Sequence, residues 1–125
     1  MTNALGRHIL CEAYGCRFET LDSLKMVEKV LVEAAIQAGA DVREVAFHQF
    51  SPQGVSGVVV ISESHVAIHT WPEYGYAALD VFTCGDNVDP WDICRIILEQ
   101  FGTSNYTAQE VRRGIFDKEL QRKIS

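Results

Sequence analysis

The chain has 125 residues and a formal net charge of −6, with 47% hydrophobic and 22% charged residues. This composition is ordinary for one globular domain, here expected over residues 1–125, and the acidic balance argues against nucleic acid as a partner. No apolar run reaches the roughly 20 residues that cross a bilayer, and the first residues lack a basic-then-apolar signal. We therefore expect no membrane partner and a cytoplasmic location.

Cysteine and lysine usage narrows the chemistry further. None of the four cysteines forms a C-x-x-C pair, so the strong zinc and redox motifs are absent, and we expect Cys11, Cys16 and Cys94 to be buried thiols. Residues 30–117 contain no lysine. Because pyridoxal phosphate needs a lysine to carry its Schiff base, we expect that this cofactor is not used.

Apolar spacing predicts four elements in the first half of the chain. They are a strand over Leu5–Tyr14, a helix over Leu21–Ala38, and strands over Asp41–Phe50 and Val55–Ile61. Period-two alternation would put Val42 and Ala46 on one face of the second strand. The third strand is rich in β-branched residues, and we expect it to be covered on both faces.

The second half predicts four more elements and a charged tail, which we expect to be mobile. The elements are strands over His65–Trp71 and Tyr76–Cys84, a helix that Asp89 and Pro90 start, and a strand over Asn105–Arg113; the tail is Asp117–Ser125. In the first of these strands, His65 and His69 share one face and Val66 and Ile68 the other. The helix is predicted to bury a stripe of Trp91, Cys94, Ile97, Leu98 and Phe101.

The predicted element order is β-α-β-β-β-β-α-β. Consecutive strands joined by short turns favour a mainly antiparallel sheet, so we expect an α+β fold, a two-layer sandwich with the helices on one face. The sheet face without helices needs a cover, which predicts a homo-oligomer, most simply a dimer.

Polar residues are concentrated in the stretch Glu63–Glu73, directly after the apolar run Val58–Ile61. The eleven positions hold a serine, two histidines, a tryptophan and two glutamates. Each of these residues taken singly is more often a cap, a turn residue or a satisfied core residue. Their density at the end of a core strand is typical of a reaction centre instead.

Two chemistries can be weighed for this stretch. A zinc site would use His65, His69 and Cys84, but two histidines four residues apart on a strand are about 13 Å apart, too far for one ion. We therefore expect no metal. A serine hydrolase would use Ser64, His69 and Asp80 as a triad, but the sequence has no G-x-S-x-G elbow.

The motifs together resemble a known family. The matching blocks are Leu5–His8, Gly54–Val58, Ser62–His65, Ile68–Glu73 and Thr83–Gly85. In order and spacing they resemble the small bacterial and archaeal type of S-adenosylmethionine decarboxylase proenzyme, over roughly residues 5 to 92.

The resemblance implies a self-made cofactor. In that family the serine at Ser64 attacks the carbonyl of Glu63, and the chain is cut into a β chain, 1–63, and an α chain, 64–125. The new first residue becomes a pyruvoyl group, which forms the Schiff base with the substrate. The resemblance assigns His69 as the proton acceptor in processing, Ser56 as its assistant, and Cys84 as the proton donor in catalysis.

The resemblance also implies the substrate, S-adenosylmethionine, whose decarboxylated product donates aminopropyl groups for spermidine. Aromatic faces suit its adenine and sulfonium, so Phe50 and Trp71 are candidate contacts, and Glu73 is a candidate for the ribose hydroxyls. The implied assembly is an oligomer of processed αβ units. Two alternatives remain: a pyruvoyl decarboxylase of arginine or ornithine, and an unprocessed regulatory partner without activity.

Overall fold

The computed structural model describes residues 4–116, so the tail predicted to be mobile lies outside the described residues. The elements are β1 (Ala4–Tyr14), α1 (Phe18–Leu21), α2 (Leu24–Gln37), β2 (Val42–Gln49), β3 (Val55–Ile61), β4 (Ser64–Trp71), a 3-10 turn (Pro72–Tyr74), β5 (Tyr76–Cys84), α3 (Pro90–Phe101) and β6 (Asn105–Ile115). The strands form one sheet in the order β2-β3-β4-β5-β1-β6, and every neighbouring pair is antiparallel. The predicted α+β class is confirmed.

The helix predicted from Leu21 is interrupted, because Ser23 starts a new one. Ser23 has an extended backbone, with φ −103° and ψ 105°, and its hydroxyl accepts a hydrogen bond from the Met26 N–H at 3.1 Å. A serine in this position caps an otherwise unpaired N–H group of the first turn. The chain therefore forms the short α1 and then α2, which buries Val27, Val30, Leu31, Ala34 and Ala35.

Helix α3 starts as predicted, but its first aromatic residue is not buried. Asp89 accepts from the Trp91 N–H at 2.9 Å, and Gly102 ends the helix with a left-handed φ of 71°. The prediction for Trp91 is wrong: the residue is 36% exposed, because its indole N–H donates to Glu110 at the rim of the core. The buried stripe is Ile93, Cys94, Ile97, Leu98 and Phe101.

The sheet has a helix-covered face and an uncovered one. In β3, Val59 is fully buried but Val60 is 38% exposed, so a single chain covers only one of the two faces that were predicted to be covered. The helices α2 and α3 pack on one side only, and no described helix packs on the other. We call this other side the open face, and alternation places on it Ser56, Val58, Val60, His65, Ala67, His69, Trp71, Ala78, Asp80, Phe82, Cys84, His8, Leu10, Glu12 and Tyr14.

Strand β2 contains a bulge that changes its faces. Val42 pairs with Ile61 and Glu44 pairs with Val60, so Arg43 has no partner of its own across the ladder. The extra residue moves Val42 to the helix-covered side while Ala46 stays on the open face, and the prediction that they share a face is wrong.

The three cysteines predicted to be buried thiols are buried and free of disulfides. Cys16 illustrates the consequence, since burial raises the pKa of its thiol and favours the uncharged form. Among residues 4–116, no helix is long and apolar enough to cross a membrane.

Candidate active site

The turn between β3 and β4 carries backbone strain. Ile61 pairs with Ser64, so Ser62 and Glu63 form a two-residue loop. Glu63 has a φ of 62°, and no other non-glycine residue between positions 4 and 116 has a positive φ. A non-glycine residue in this region costs on the order of 1 kcal/mol or more and persists only where its surroundings hold it.

Cys84 hydrogen-bonds to groups on both sides of the Glu63–Ser64 peptide bond. Its backbone N–H donates to Ser64 Oγ at 2.9 Å, and its thiol donates to the carbonyl oxygen of Glu63 at 3.1 Å. The geometry follows from the sheet, because Cys84 ends β5 beside the start of β4. A nucleophilic hydroxyl and a polarised carbonyl are thereby kept at the same turn.

A small cavity lies beside this turn. Its volume is about 220 Å³, and its lining includes Asp41, Ser62, Ser64, Thr83 and Cys84. The hydroxyl of Thr83 is buried and has no hydrogen-bond partner among the described residues. Buried polar groups of this kind usually bind an ordered water, and a cavity of this size has room for one.

His69 and its neighbours form a second site at the other end of β4. The Ser56 hydroxyl and His69 Nδ1 are 2.7 Å apart, because Ser56 and His69 are directly paired across β3 and β4. Both residues line a cavity of about 300 Å³. The predicted substrate contacts Phe50, Trp71 and Glu73 line the same cavity.

The two sites are separated within one chain. Ser64 and His69 are five residues apart on an extended strand, so their Cα atoms are about 16 Å apart by the strand rise. The structure therefore brings Ser64 together with Cys84, and Ser56 with His69, but it does not join the pairs. Neither alternative site is assembled. The hydrolase triad would need Ser64 beside His69, and the zinc set would need His65 beside His69, but the extended strand keeps both pairs apart.

Asp80 lies at the centre of a polar cluster on the open face. Its carboxylate accepts from His8 and lies 3.8 Å from His65 Nε2, and Arg113 donates to His8 Nδ1 at 3.0 Å. The ligand atoms of His8, His65 and Asp80 lie within 4.8 Å of one another. Because Arg113 only donates, the proton of a neutral His8 ring sits on Nε2 and points at Asp80, which leaves that ring no lone pair for a metal.

Aromatic rings and carboxylates line the middle of the open face. Tyr76 stacks between Tyr14 and Trp71, with ring centroids 5.5 Å and 5.2 Å away. The Tyr76 hydroxyl donates to Glu12 at 2.5 Å, and this hydrogen bond raises the pKa of Tyr76 to about 12. A shallow cavity of about 600 Å³ covers the region and is lined in part by Glu12 and Asp80.

Three residues at these sites were not predicted from the sequence: Arg43, Arg113 and Thr83. Arg43 contacts the strained turn only because of the bulge in β2, and Arg113 reaches His8 across two strands that are distant in sequence. Thr83 carried a signal, since it lies in the Thr83–Gly85 block beside Cys84.

The chain is similar in sequence to proteins of one known family. The sequence model of the family "S-adenosylmethionine decarboxylase" matches residues 7–114. An S-adenosylmethionine decarboxylase proenzyme of Acetivibrio thermocellus is 63% identical over 119 residues, covering 95% of this chain and 96% of that protein. One from Clostridium kluyveri is 60% identical over 123 residues, covering 98% of both proteins.

The fold is similar to a solved structure as well. The crystal structure of the adenosylmethionine decarboxylase from Aquifex aeolicus VF5 superposes with a TM-score of 0.86 at 34% sequence identity. The match covers 92% of this chain and 95% of that one. Sequence and fold comparisons thus point to one group of proteins.

Proposed function

Since the chain belongs to the S-adenosylmethionine decarboxylase family, we propose that it decarboxylates S-adenosylmethionine with a pyruvoyl group made from its own Ser64. The observation that carries the proposal is the strained Glu63–Ser64 turn, with Cys84 bonded to both the attacking hydroxyl and the attacked carbonyl.

The first step is an acyl shift that turns the Glu63–Ser64 peptide bond into an ester, before the chain is cut. Ser64 Oγ attacks the carbonyl carbon of Glu63, the peptide C–N bond breaks, and the hydroxyl proton moves to the released nitrogen, which leaves an ester. The Cys84 thiol donates to the oxygen on which negative charge develops, as an oxyanion-hole donor does. Cleavage also frees Glu63 from its left-handed backbone, so the strain of the turn favours the forward direction.

The second step is an elimination and needs a base. Removal of the Ser64 α-proton expels the Glu63 carboxylate and leaves dehydroalanine, and one water then replaces one ammonia to give the pyruvoyl group. His69 is the proposed proton acceptor. In the tautomer whose Nδ1–H donates to Ser56, its Nε2 keeps a lone pair for the proton.

Different residues of the chain have different roles in decarboxylation. The pyruvoyl carbonyl supplies the electron sink that pyridoxal phosphate supplies in other decarboxylases. Cys84 then donates a proton to the carbon that loses carbon dioxide. Phe50 and Trp71 bind the adenine and the sulfonium, the latter by cation–π attraction of about 0.5–2 kcal/mol, and Glu73 binds the ribose hydroxyls.

A second copy of the chain completes the site in this proposal. One chain separates Ser64 from His69 by about 16 Å. Two chains that pack open face on open face in antiparallel fashion bring the His69 end of one to the Ser64 end of the other. The exposed apolar residues of the open face favour such packing, and they include Leu10, Tyr14, Val60 and Trp71.

The product suits aminopropyl transfer to a diamine, as in spermidine synthesis, and the four free thiols suit a reducing cytoplasm. Arginine or ornithine as substrate is not favoured, because the relatives reported above are S-adenosylmethionine decarboxylase proenzymes.

One experiment on the purified protein tests the proposal. We expect a mass spectrum with two pieces, residues 1–63 and 64–125, the second with oxygen in place of its terminal nitrogen. Carbon dioxide release is expected from S-adenosylmethionine and not from arginine or ornithine. Ser64→Ala should give one intact, inactive chain. An active protein that keeps an unmodified Ser64 would refute the proposed cofactor.

A further inference from the structure

We propose that Asp41 and Arg43 are positioning residues for self-cleavage, which act through Ser62 to hold the strained turn before the cut. The inference rests on the proposed cleavage between Glu63 and Ser64. It assigns these two residues to the making of the cofactor and not to the decarboxylation that follows.

Ser62 is the residue through which the two act. Its backbone N–H donates to the carbonyl oxygen of Asp41 at 3.0 Å. Its hydroxyl accepts from Arg43 Nε at 3.1 Å and donates to Asp41 Oδ2 at 3.4 Å. Arg43 Nη2 closes the set on Asp41 Oδ2 at 2.9 Å. The donors and acceptors are mutually consistent, so both roles of the hydroxyl are used.

The bulge in β2 explains how Arg43 comes to the turn. Arg43 is the extra residue between the pairs Val42–Ile61 and Glu44–Val60. A bulge twists the strand locally and redirects a side chain, and bulges are frequent beside active sites. Here the redirected guanidinium contacts Ser62 with one nitrogen and Asp41 with another, a fork that lysine does not provide.

The turn is therefore held from both sides of the bond to be cut. Asp41 and Arg43 fix Ser62 on the N-terminal side, and Cys84 fixes the Glu63 carbonyl and the Ser64 hydroxyl on the other. Glu63 between them has the left-handed φ of 62°. Without the N-terminal contacts the turn is free to relax, and the carbonyl then moves away from the attacking oxygen.

The effect is confined to processing for a topological reason. After cleavage, Ser62 and Glu63 are the last residues of the first fragment, whereas the pyruvoyl group starts the second. The side chains of Arg43 and Asp41 are 63% and 64% exposed, so their ion pair adds little to stability. Substitution there leaves the fold intact.

The test compares the rate of chain cleavage with the turnover of cleaved chains. In Arg43→Lys we expect cleavage to slow about tenfold or more, the scale on which small misplacements act on reacting groups. The kcat and KM per cleaved chain should stay within about twofold. Ser62→Ala should behave like Arg43→Lys, and Ser62→Thr, which keeps the hydroxyl, should restore most of the rate.

Arg95→Lys is the matched control. Arg95 is 59% exposed and pairs with Asp92 and Glu99 on α3, away from the turn, so this variant should cleave at the unsubstituted rate. An unchanged cleavage rate in Arg43→Lys, or a kcat that falls in step with it, would overturn the inference alone. An unsubstituted chain that never cleaves would overturn it together with the proposed function.

Discussion

At the residue scale, Cys84 is the most constrained group of the candidate site. Its backbone and its thiol contact the two sides of the same peptide bond, which requires the end of β5 to lie beside the start of β4. The two proposed uses differ in chemistry. Self-cleavage needs a hydrogen-bond donor to the Glu63 carbonyl, while decarboxylation needs a group that gives up its proton.

The substitution Cys84→Ser tests the two proposed roles of Cys84 separately. The serine hydroxyl still donates to the carbonyl, so we expect cleavage within about tenfold of the unsubstituted rate. A hydroxyl is a much weaker acid than a thiol, so formation of the decarboxylated product should fall by about a hundredfold or more. Gel analysis and product quantification measure the two. Cys16→Ala, a thiol remote from the turn, is the control, and equal losses in both measurements would contradict the division.

At the scale of elements, an ion pair connects α3 to the strands beneath it. Arg7 on β1 and Glu110 on β6 make two hydrogen bonds of 2.9 Å and 3.1 Å, and the Trp91 indole of α3 donates to the same carboxylate at 2.8 Å. The hydrogen bond from Arg7 is the main cause that lowers the pKa of Glu110 below its ordinary value of 4.5. This contact fixes the helix that follows the Cys84 strand.

Glu110→Gln should therefore destabilise the protein in a pH-dependent way. A lowered folded-state pKa contributes stability above the unfolded value and loses it as the pH falls through the folded one. We expect a loss of about 1 kcal/mol in unfolding free energy at pH 7, shrinking below pH 4.5. Urea unfolding at pH 7 and at a pH below 4.5 measures this loss of unfolding free energy. Glu99→Gln, an exposed pair on α3, should show almost no loss, and a pH-independent loss in Glu110→Gln would be inconsistent with this account.

At the scale of the whole molecule, the open face carries most of the candidate site residues. It holds the His69 site and the polar cluster around Asp80, and Cys84 lies at one end of it. Within one chain the strand geometry keeps the Ser64 and His69 groups apart. The dimer predicted from the uncovered face would therefore also explain why the proposed catalytic residues lie at the two ends of β4.

Mixed chains test whether the site is shared. His69→Ala chains should stay uncleaved when expressed alone. Co-expressed with Ser64→Ala chains, they should be cleaved, because the Ser64→Ala partner supplies an intact His69. A partner with both substitutions should give no rescue. Mass spectrometry distinguishes the chains, and failure of the Ser64→Ala partner to rescue cleavage would argue against a site formed by two copies.

The sequence by itself determined the order of the strands and main helices and the family of this protein. Local spacing predicted the six strands and two main helices, because apolar periodicity is set by which side of an element faces the core. The motif around Ser64 identified the family. Alternation also placed His65 and His69 on the face opposite Val66 and Ile68, as observed.

Only the tertiary structure decided the features that depend on distant neighbours. The rim position of Trp91, the bulge at Arg43 and the single covered face of β3 each follow from contacts between segments far apart in sequence. The same holds for the separation of Ser64 from His69. The sequence motif shows which residues are candidates for the chemistry. The sheet sets the distances between them, because an extended strand keeps residues of one motif apart.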